Sequence, residues 1–237
     1  MRQVMRRLGQ VKVIIMLLAF GLFACQQAPD TPVSTAGTAQ QETAQTPPAR
    51  VDAQAPVVVF LGDSLTAGFN LSPQDALPEQ VGLRLNAAGL PVTVINAGVS
   101  GDTSANGLAR YDWSVKSANP DFLVLALGAN DYLQNVGPET TRSNLMEILN
   151  RAKADNIPVI LVGLKPRSKA QTGSRDAKFG AIYPELASQF NVPLYPALLN
   201  GVRTNPDLLQ SDGLHPTAKG VEVMADRLAE FLNPLIK

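Results

Sequence analysis

The stretch Val-Val-Val-Phe-Leu (57–61), followed directly by Gly-Asp-Ser-Leu (62–65), decides the fold. A continuous apolar run of this length, bounded by turn residues, predicts a buried strand of a parallel sheet. Open α/β sheets bind their ligands outside the carboxyl ends of the strands, which is where Ser64 is expected to lie. Taken alone, residues 62–65 fit a plain strand-to-loop turn equally well, because Gly, Asp and Ser are common turn residues.

Apolar runs and helical periodicity alternate along the rest of the chain. Further strands are predicted at 92–95, 122–127, 157–162 and 192–195. Helices are predicted at 80–88, 103–117, 140–154, 176–189 and 221–232. Continuous apolar strands between amphipathic helices indicate a parallel sheet that is covered on both faces. Because crossover connections are right-handed, we expect a flavodoxin-like three-layer αβα sandwich with a five-stranded parallel sheet in the order 2-1-3-4-5.

Polar loops follow the first three predicted strands, and they place Ser64, Gly101 and Asn130 at one edge of the sheet. His215, the only histidine, and Asp212 precede the last helix. A serine nucleophile needs a base, and the base needs an acid that orients it. His215 alone would more often be a helix N-terminal or core histidine. The five residues together favour a catalytic site.

Each of these residue types has a role in acyl transfer. Ser64 would attack a carbonyl carbon, His215 would act as general base, and Asp212 would orient the imidazole. The oxyanion would be held by the backbone N–H groups of Ser64 and Gly101 and by the Asn130 amide. One histidine and one cysteine make a metal centre a poor prediction, so we expect no metal and no cofactor.

Four sequence blocks, at 62–69, 101–110, 128–131 and 212–216, resemble those of the SGNH (GDSL) hydrolase superfamily. The resemblance covers residues 56–234 and points to the acyl-CoA thioesterase I, lysophospholipase and arylesterase branch. It implies a serine hydrolase that cleaves carboxylic and thio esters, such as arylesters, lysophospholipids or acyl thioesters, through an acyl-enzyme on Ser64. It implies the same roles for Gly101, Asn130, Asp212 and His215. Two alternatives stay open: an envelope carbohydrate O-deacetylase and a non-catalytic binding lipoprotein.

Residues 165–173 depart from the family pattern and contain three cations, Lys165, Arg167 and Lys169. The segment is turn-rich, so we predict an exposed loop. Its charges would either bind an acidic head group of a substrate or simply face solvent, and the second interpretation is favoured. In the thioesterase members of the family, the corresponding segment helps to frame the acyl groove. The resemblance therefore does not extend to the acyl-chain preference of this protein.

The first 24 residues have the pattern of a bacterial lipoprotein signal peptide. Basic residues up to Lys12 precede an apolar segment at 13–23, and Ala24-Cys25 follows it. The apolar segment is too short to span a bilayer about 30 Å thick. Cys25, the only cysteine, is the predicted lipidation site. The alternatives are ordinary cleavage, which would release a soluble periplasmic or secreted protein, and an uncleaved anchor.

Residues 25–55 are rich in Gln, Thr, Ala and Pro, which predicts a disordered tether with a reach of roughly 30 Å. The hydrolase domain is predicted at 56–237. A lipid anchor at Cys25 would place it at the outer membrane, facing the periplasm. The formal net charge is zero, which argues against a nucleic-acid partner. We expect a monomer whose partners are an acyl ester substrate and the membrane.

Overall fold

The computed structural model describes residues 55–166, 171 and 173–236 of the 237-residue chain. These residues form one parallel sheet in the order β2-β1-β3-β4-β5, which confirms the predicted order. The strands are β1 Val57–Gly62, β2 Thr93–Gly98, β3 Phe122–Ala126, β4 Val159–Val162 and β5 Leu194–Tyr195. The parallel register pairs β1 with both β2 and β3, so the strand that leads to Ser64 is an interior strand, next to the edge strand β2.

Eight α-helices lie within the described residues. They are α1 Ser64–Ala67, α2 Leu77–Ala87, α3 Ser104–Ala109, α4 Tyr111–Ser114, α5 Ala129–Leu133, α6 Pro138–Ala154, α7 Arg175–Phe190 and α8 Ala218–Leu232. Short 3₁₀ turns span Pro73–Asp75, Lys116–Ala118 and Pro206–Leu208. The long predicted helices at 140–154, 176–189 and 221–232 are confirmed as α6, α7 and α8, each slightly longer than predicted.

Helices cover both faces of the sheet, as expected of a three-layer sandwich. Val58 and Phe60 of β1 point to one face, where their core cluster includes residues of α2 and α8. Val59 and Leu61 point to the other face, where the cluster includes residues of α6 and α7. Because side chains alternate along a strand, a continuous apolar run has to be buried on both sides, and the exposed fractions of these four side chains are at most 2%.

The single helix predicted at 103–117 is wrong. The chain forms α3, breaks at Arg110 and continues in the short α4. Arg110 has φ −102° and ψ 9°, outside the helical region. Its guanidinium donates to the Asp102 carboxylate and to the Gly62 carbonyl oxygen. These contacts hold Arg110 to the end of β1, and the helix cannot continue through it.

Two short helices, α1 and α5, were not predicted, and both begin immediately after a strand at the edge that carries the site. Asp63 caps α1 by accepting the Leu65 N–H. The predicted signal peptide at 1–24, the predicted lipidation site Cys25 and nearly all of the predicted tether lie outside the described residues. No helix in the described ranges is both long enough and apolar enough to cross a membrane.

Candidate active site

Ser64 and His215 meet at the carboxyl end of β1, although 151 positions separate them in the chain. The Ser64 Oγ lies 2.9 Å from the His215 Nε2. The His215 Nδ1 lies 2.7 Å from the Asp212 Oδ2. Three of the predicted site residues therefore come together in the order serine, imidazole, carboxylate, which is the arrangement of a Ser–His–Asp triad.

Asp212 sets the tautomer of the neutral imidazole. Its carboxylate accepts hydrogen bonds from the His215 ring, from the His215 backbone N–H and from the Leu214 backbone N–H, and these lower its pKa to about 2. An ionised carboxylate can only accept, so the hydrogen of the neutral imidazole is on Nδ1. Nε2 is then the acceptor for the Ser64 hydroxyl, as a general base requires.

The loop that carries His215 is fixed to the rest of the domain by Gln210 and Phe69. The Gln210 side-chain amide donates to the carbonyl oxygens of Phe69 and Pro216. The Phe69 ring lies against the imidazole, with ring centroids 4.3 Å apart and planes inclined by 34°. Neither side chain was predicted as part of the site. The only sequence signal for either of them was the position of Phe69, which ends the block at 62–69.

Gly101 and Asn130 lie on the loops after β2 and β3 and line the same cavity as Ser64. Gly101 has φ +89° in a turn closed by the Asp102 N–H on the Val99 carbonyl oxygen, a conformation that favours glycine. The Asn130 Nδ2 donates to the Asp102 carbonyl oxygen at 2.9 Å. Ser64 is the first residue of α1, so its N–H has no acceptor within that helix. The structure thus brings all five predicted site residues together.

A buried carboxylate, Asp131, ties the second and third loops together behind the site. It accepts hydrogen bonds from the Ser104 backbone N–H, the Ser104 hydroxyl and the Thr141 hydroxyl. Its exposed fraction is 0%. Asp131 follows Asn130, and Ser104 begins α3 just beyond Gly101, so this network fixes both loops relative to each other. In the sequence analysis, Asp131 was only the last residue of the block at 128–131 and had no predicted role.

Two more buried acids, Asp63 and Asp102, are chain neighbours of the site residues Ser64 and Gly101. Asp63 is buried next to Ser64, and desolvation raises its pKa to about 6 even though it accepts the Leu65 N–H. Asp102 pairs with Arg110 at 2.7 Å between Nε and Oδ2, and both side chains are largely buried. Because Arg110 also donates to the Gly62 carbonyl oxygen, the pair connects the loop after β2 to the strand before Ser64.

The site opens into a crevice of about 220 Å³. Four of the five predicted residues line it, Ser64, Gly101, Asn130 and His215. The rest of its walls are mainly apolar and include Leu65, Phe69, Tyr132, Leu133, Leu164, Pro166, Leu199 and Leu214. Such a crevice suits an acyl chain. Across the ranges that the structure describes, no group of three or more His, Cys, Asp or Glu side chains is placed to hold a metal ion.

Fold and site together define the class of serine ester hydrolases. Residues 60–223 match the model of the GDSL-like Lipase/Acylhydrolase family, and the chain belongs to this family, which the four sequence blocks had indicated. The chain is 37% identical over 185 residues to "Thioesterase 1/protease 1/lysophospholipase L1" of Escherichia coli K12, covering 78% of this chain and 86% of that protein.

Two further comparisons agree. The chain is 35% identical over 176 residues to "Arylesterase" of Vibrio mimicus, covering 74% of this chain and 87% of that protein. The crystal structure of TesA superposes with a TM-score of 0.70 at 30% identity, covering 76% of this chain and 99% of that one. The predicted family, fold and enzyme class are thereby confirmed, and the chain is a carboxylic ester hydrolase.

Proposed function

We propose that the protein hydrolyses carboxylic and thio esters of acyl groups through an acyl-enzyme on Ser64. The observation that carries this proposal is the 2.9 Å contact between the Ser64 Oγ and the His215 Nε2 inside an apolar crevice. The relatives named for thioesterase, lysophospholipase and arylesterase activity support acyl esters, arylesters, lysophospholipids and acyl thioesters as substrates.

In the first half of the reaction, the Ser64 Oγ attacks the carbonyl carbon while the His215 Nε2 accepts the hydroxyl proton. Asp212 keeps the resulting imidazolium oriented and stabilises its charge. The negative oxygen of the tetrahedral intermediate accepts hydrogen bonds from the Ser64 N–H, the Gly101 N–H and the Asn130 amide. Collapse breaks the bond to the leaving group, which takes the proton from His215 and departs as an alcohol or thiol.

The second half repeats the same steps with water. His215 removes a proton from water, and the oxygen attacks the carbonyl carbon of the acyl-Ser64 ester. The same donors hold the second oxyanion. Collapse breaks the bond to the Ser64 Oγ, which recovers its proton from His215 as the carboxylic acid is released. No redox step and no external acid or base is required.

The substrate panel for the test is a series of p-nitrophenyl esters from acetyl to palmitoyl, acyl-CoAs, lysophospholipid and acetylated xylan, assayed with the full chain. We expect turnover of medium or long acyl esters, loss of that turnover in Ser64→Ala, and no loss in Ser188→Ala, an exposed serine on α7. A fluorophosphonate probe should label the parent and not Ser64→Ala. Turnover confined to acetylated xylan, or no turnover at all, would contradict the proposal.

We further propose that residues 1–24 are a lipoprotein signal peptide, that Cys25 carries the lipid, and that 25–55 tether a monomeric hydrolase domain at 56–237. The domain would act at the outer membrane, facing the periplasm. Metabolic labelling with radioactive palmitate tests the lipidation. Labelled protein in the membrane fraction, and its loss in Cys25→Ala, is the expected result, whereas an unlabelled soluble protein would contradict the anchor.

A further inference from the structure

A second cleft adjoins the crevice beside the loop that follows β4. It has a volume of about 230 Å³. The two spaces share Lys165, Pro166, Leu199 and Arg203 in their walls, so Lys165 and Arg203 stand where the apolar crevice meets the cleft. A substrate that fills the crevice from Ser64 would reach this junction.

The walls of the cleft combine two cations, Lys165 and Arg203, with polar and apolar groups. Among the residues that the structure describes, no acidic side chain lines it. The Arg203 Nη1 donates to the Lys165 carbonyl oxygen at 2.6 Å, which holds the guanidinium beside the lysine. The Asn200 and Thr204 side chains add an amide and a hydroxyl to the walls. Within the described part of the chain, the Lys165 ammonium forms no ion pair with a carboxylate.

A third cation stands behind the same loop. The Arg227 Nη1 donates to the Asn200 carbonyl oxygen at 3.0 Å, and its guanidinium packs against Gly201. A side chain at 201 would collide with that guanidinium, since a Cβ there would lie 2.5 Å from the Arg227 Nη1. The loop therefore lies between two arginines, Arg203 and Arg227.

We propose that this cleft, which we call the cationic subsite (Lys165, Asn200, Arg203 and Thr204), binds an anionic group of the substrate, a phosphate or a carboxylate. The inference rests on the proposed function, because it takes the apolar crevice to hold the acyl ester. Guanidinium and ammonium donors are the groups that recognise such anions, and hydroxyl and amide donors add hydrogen bonds. The enzyme then prefers acyl esters that carry a negative charge far from the scissile bond.

The anion can belong to the alcohol side or to the acyl side of the ester. Pairs of matched substrates distinguish these two cases. Lysophosphatidylglycerol against the monoacylglycerol with the same acyl chain varies the charge on the alcohol side, because the second lipid lacks the phosphate. The mono-p-nitrophenyl ester of suberic acid against p-nitrophenyl octanoate varies it on the acyl side. For each pair, the measured quantity is the ratio of kcat/KM for the anionic substrate to kcat/KM for the neutral one.

Lys165→Glu in the full chain should lower that ratio by about tenfold in one of the two pairs, because an exposed attraction is replaced by a repulsion. Lys165→Arg should retain the ratio. The matched control is Lys153→Glu, an exposed lysine near the end of α6 that lines neither space, and its ratio should stay within about twofold. Equal ratios in the parent and in Lys165→Glu, for both pairs, would overturn the subsite.

Binding provides a readout that needs no turnover. In the Ser64→Ala background, octyl phosphate should bind more weakly by about tenfold when Lys165→Glu is added, as measured by calorimetry. An unchanged dissociation constant would overturn the subsite. If instead the parent lacks esterase activity while octyl phosphate binding still depends on Lys165, the proposed function fails and the subsite stands.

Discussion

Asp212 binds His215 twice, through the ring and through the backbone. The Oδ2 accepts from the ring Nδ1–H, and the Oδ1 accepts from the His215 backbone N–H at 3.0 Å. The Oδ1 also accepts from the Leu214 N–H. One carboxylate thus shapes the loop and selects the tautomer.

Asp212→Asn should lower kcat by about 10²–10⁴-fold, because an amide can present its NH₂ to the ring and favour the wrong tautomer. The backbone hydrogen bonds to Oδ1 can persist, so we expect the fold to survive. Steady-state kinetics on a p-nitrophenyl ester measure the loss. Asp207→Asn, an exposed carboxylate on a neighbouring 3₁₀ turn, is the matched control. A variant Asp212→Asn that retains more than a third of parental kcat would argue against its orienting role.

Asn130→Ala should lower kcat by about 10²–10³-fold, the usual effect of removing one oxyanion donor. KM should change much less, because the donor acts on charge that develops after binding. The control is Asn150→Ala, an exposed asparagine on α6. If kcat falls less than threefold, Asn130 serves only to hold the Asp102 carbonyl oxygen and is not an oxyanion donor.

Asp131→Asn should destabilise the domain and weaken catalysis together. Its three donors approach a carboxylate, and an amide must turn an NH₂ toward one of them, which costs about 1–3 kcal/mol in unfolding free energy. For a domain of this size, each kcal/mol lowers Tm by about 2–4 °C. Thermal melting and kcat measured on the same sample test this. The control is Asp121→Asn, at the amino end of β3 and far from the site, where the amide oxygen can still accept the Val57 N–H. Unchanged Tm would mean that the network does not fix the loops.

Asp63→Asn should stabilise the domain at neutral pH. Burial raises the pKa of Asp63 to about 6 from 3.8, so between these values the folded state binds the proton more tightly than the unfolded chain does. The carboxyl's contribution to folding is therefore most favourable below pH 4 and falls as pH rises to 6, by about 3 kcal/mol in total. The amide avoids this cost and can still accept the Leu65 N–H.

The measurement is Tm of the parent and of Asp63→Asn at pH 4 and pH 8. The variant should gain several degrees over the parent at pH 8 and little at pH 4. Asp112→Asn replaces a surface carboxylate and serves as control. A gain of the same size at both pH values, or a loss at pH 8 alone, would contradict a buried ionised Asp63.

The strands and the site motifs were predictable from the sequence because their signals are local. Residues 57–61 are apolar without interruption, and such a run must be buried on both faces. Ser64, Gly101 and Asn130 follow the first three predicted strands, and the carboxyl ends of parallel strands lie at one edge. His215 is the only histidine, so no other imidazole competed for the role of base.

The tertiary structure alone decided the features that depend on contacts between distant segments. The helix predicted at 103–117 breaks because Arg110 bonds to the carbonyl oxygen of Gly62, 48 positions away. Asp131 is buried and accepts hydrogen bonds from residues of α3 and α6. The Phe69 ring contacts the His215 ring. The hydrogen bond from the Arg203 guanidinium to the Lys165 carbonyl oxygen joins residues 38 positions apart. Local propensity is worth less than about 1 kcal/mol per residue, so such long-range bonds override it.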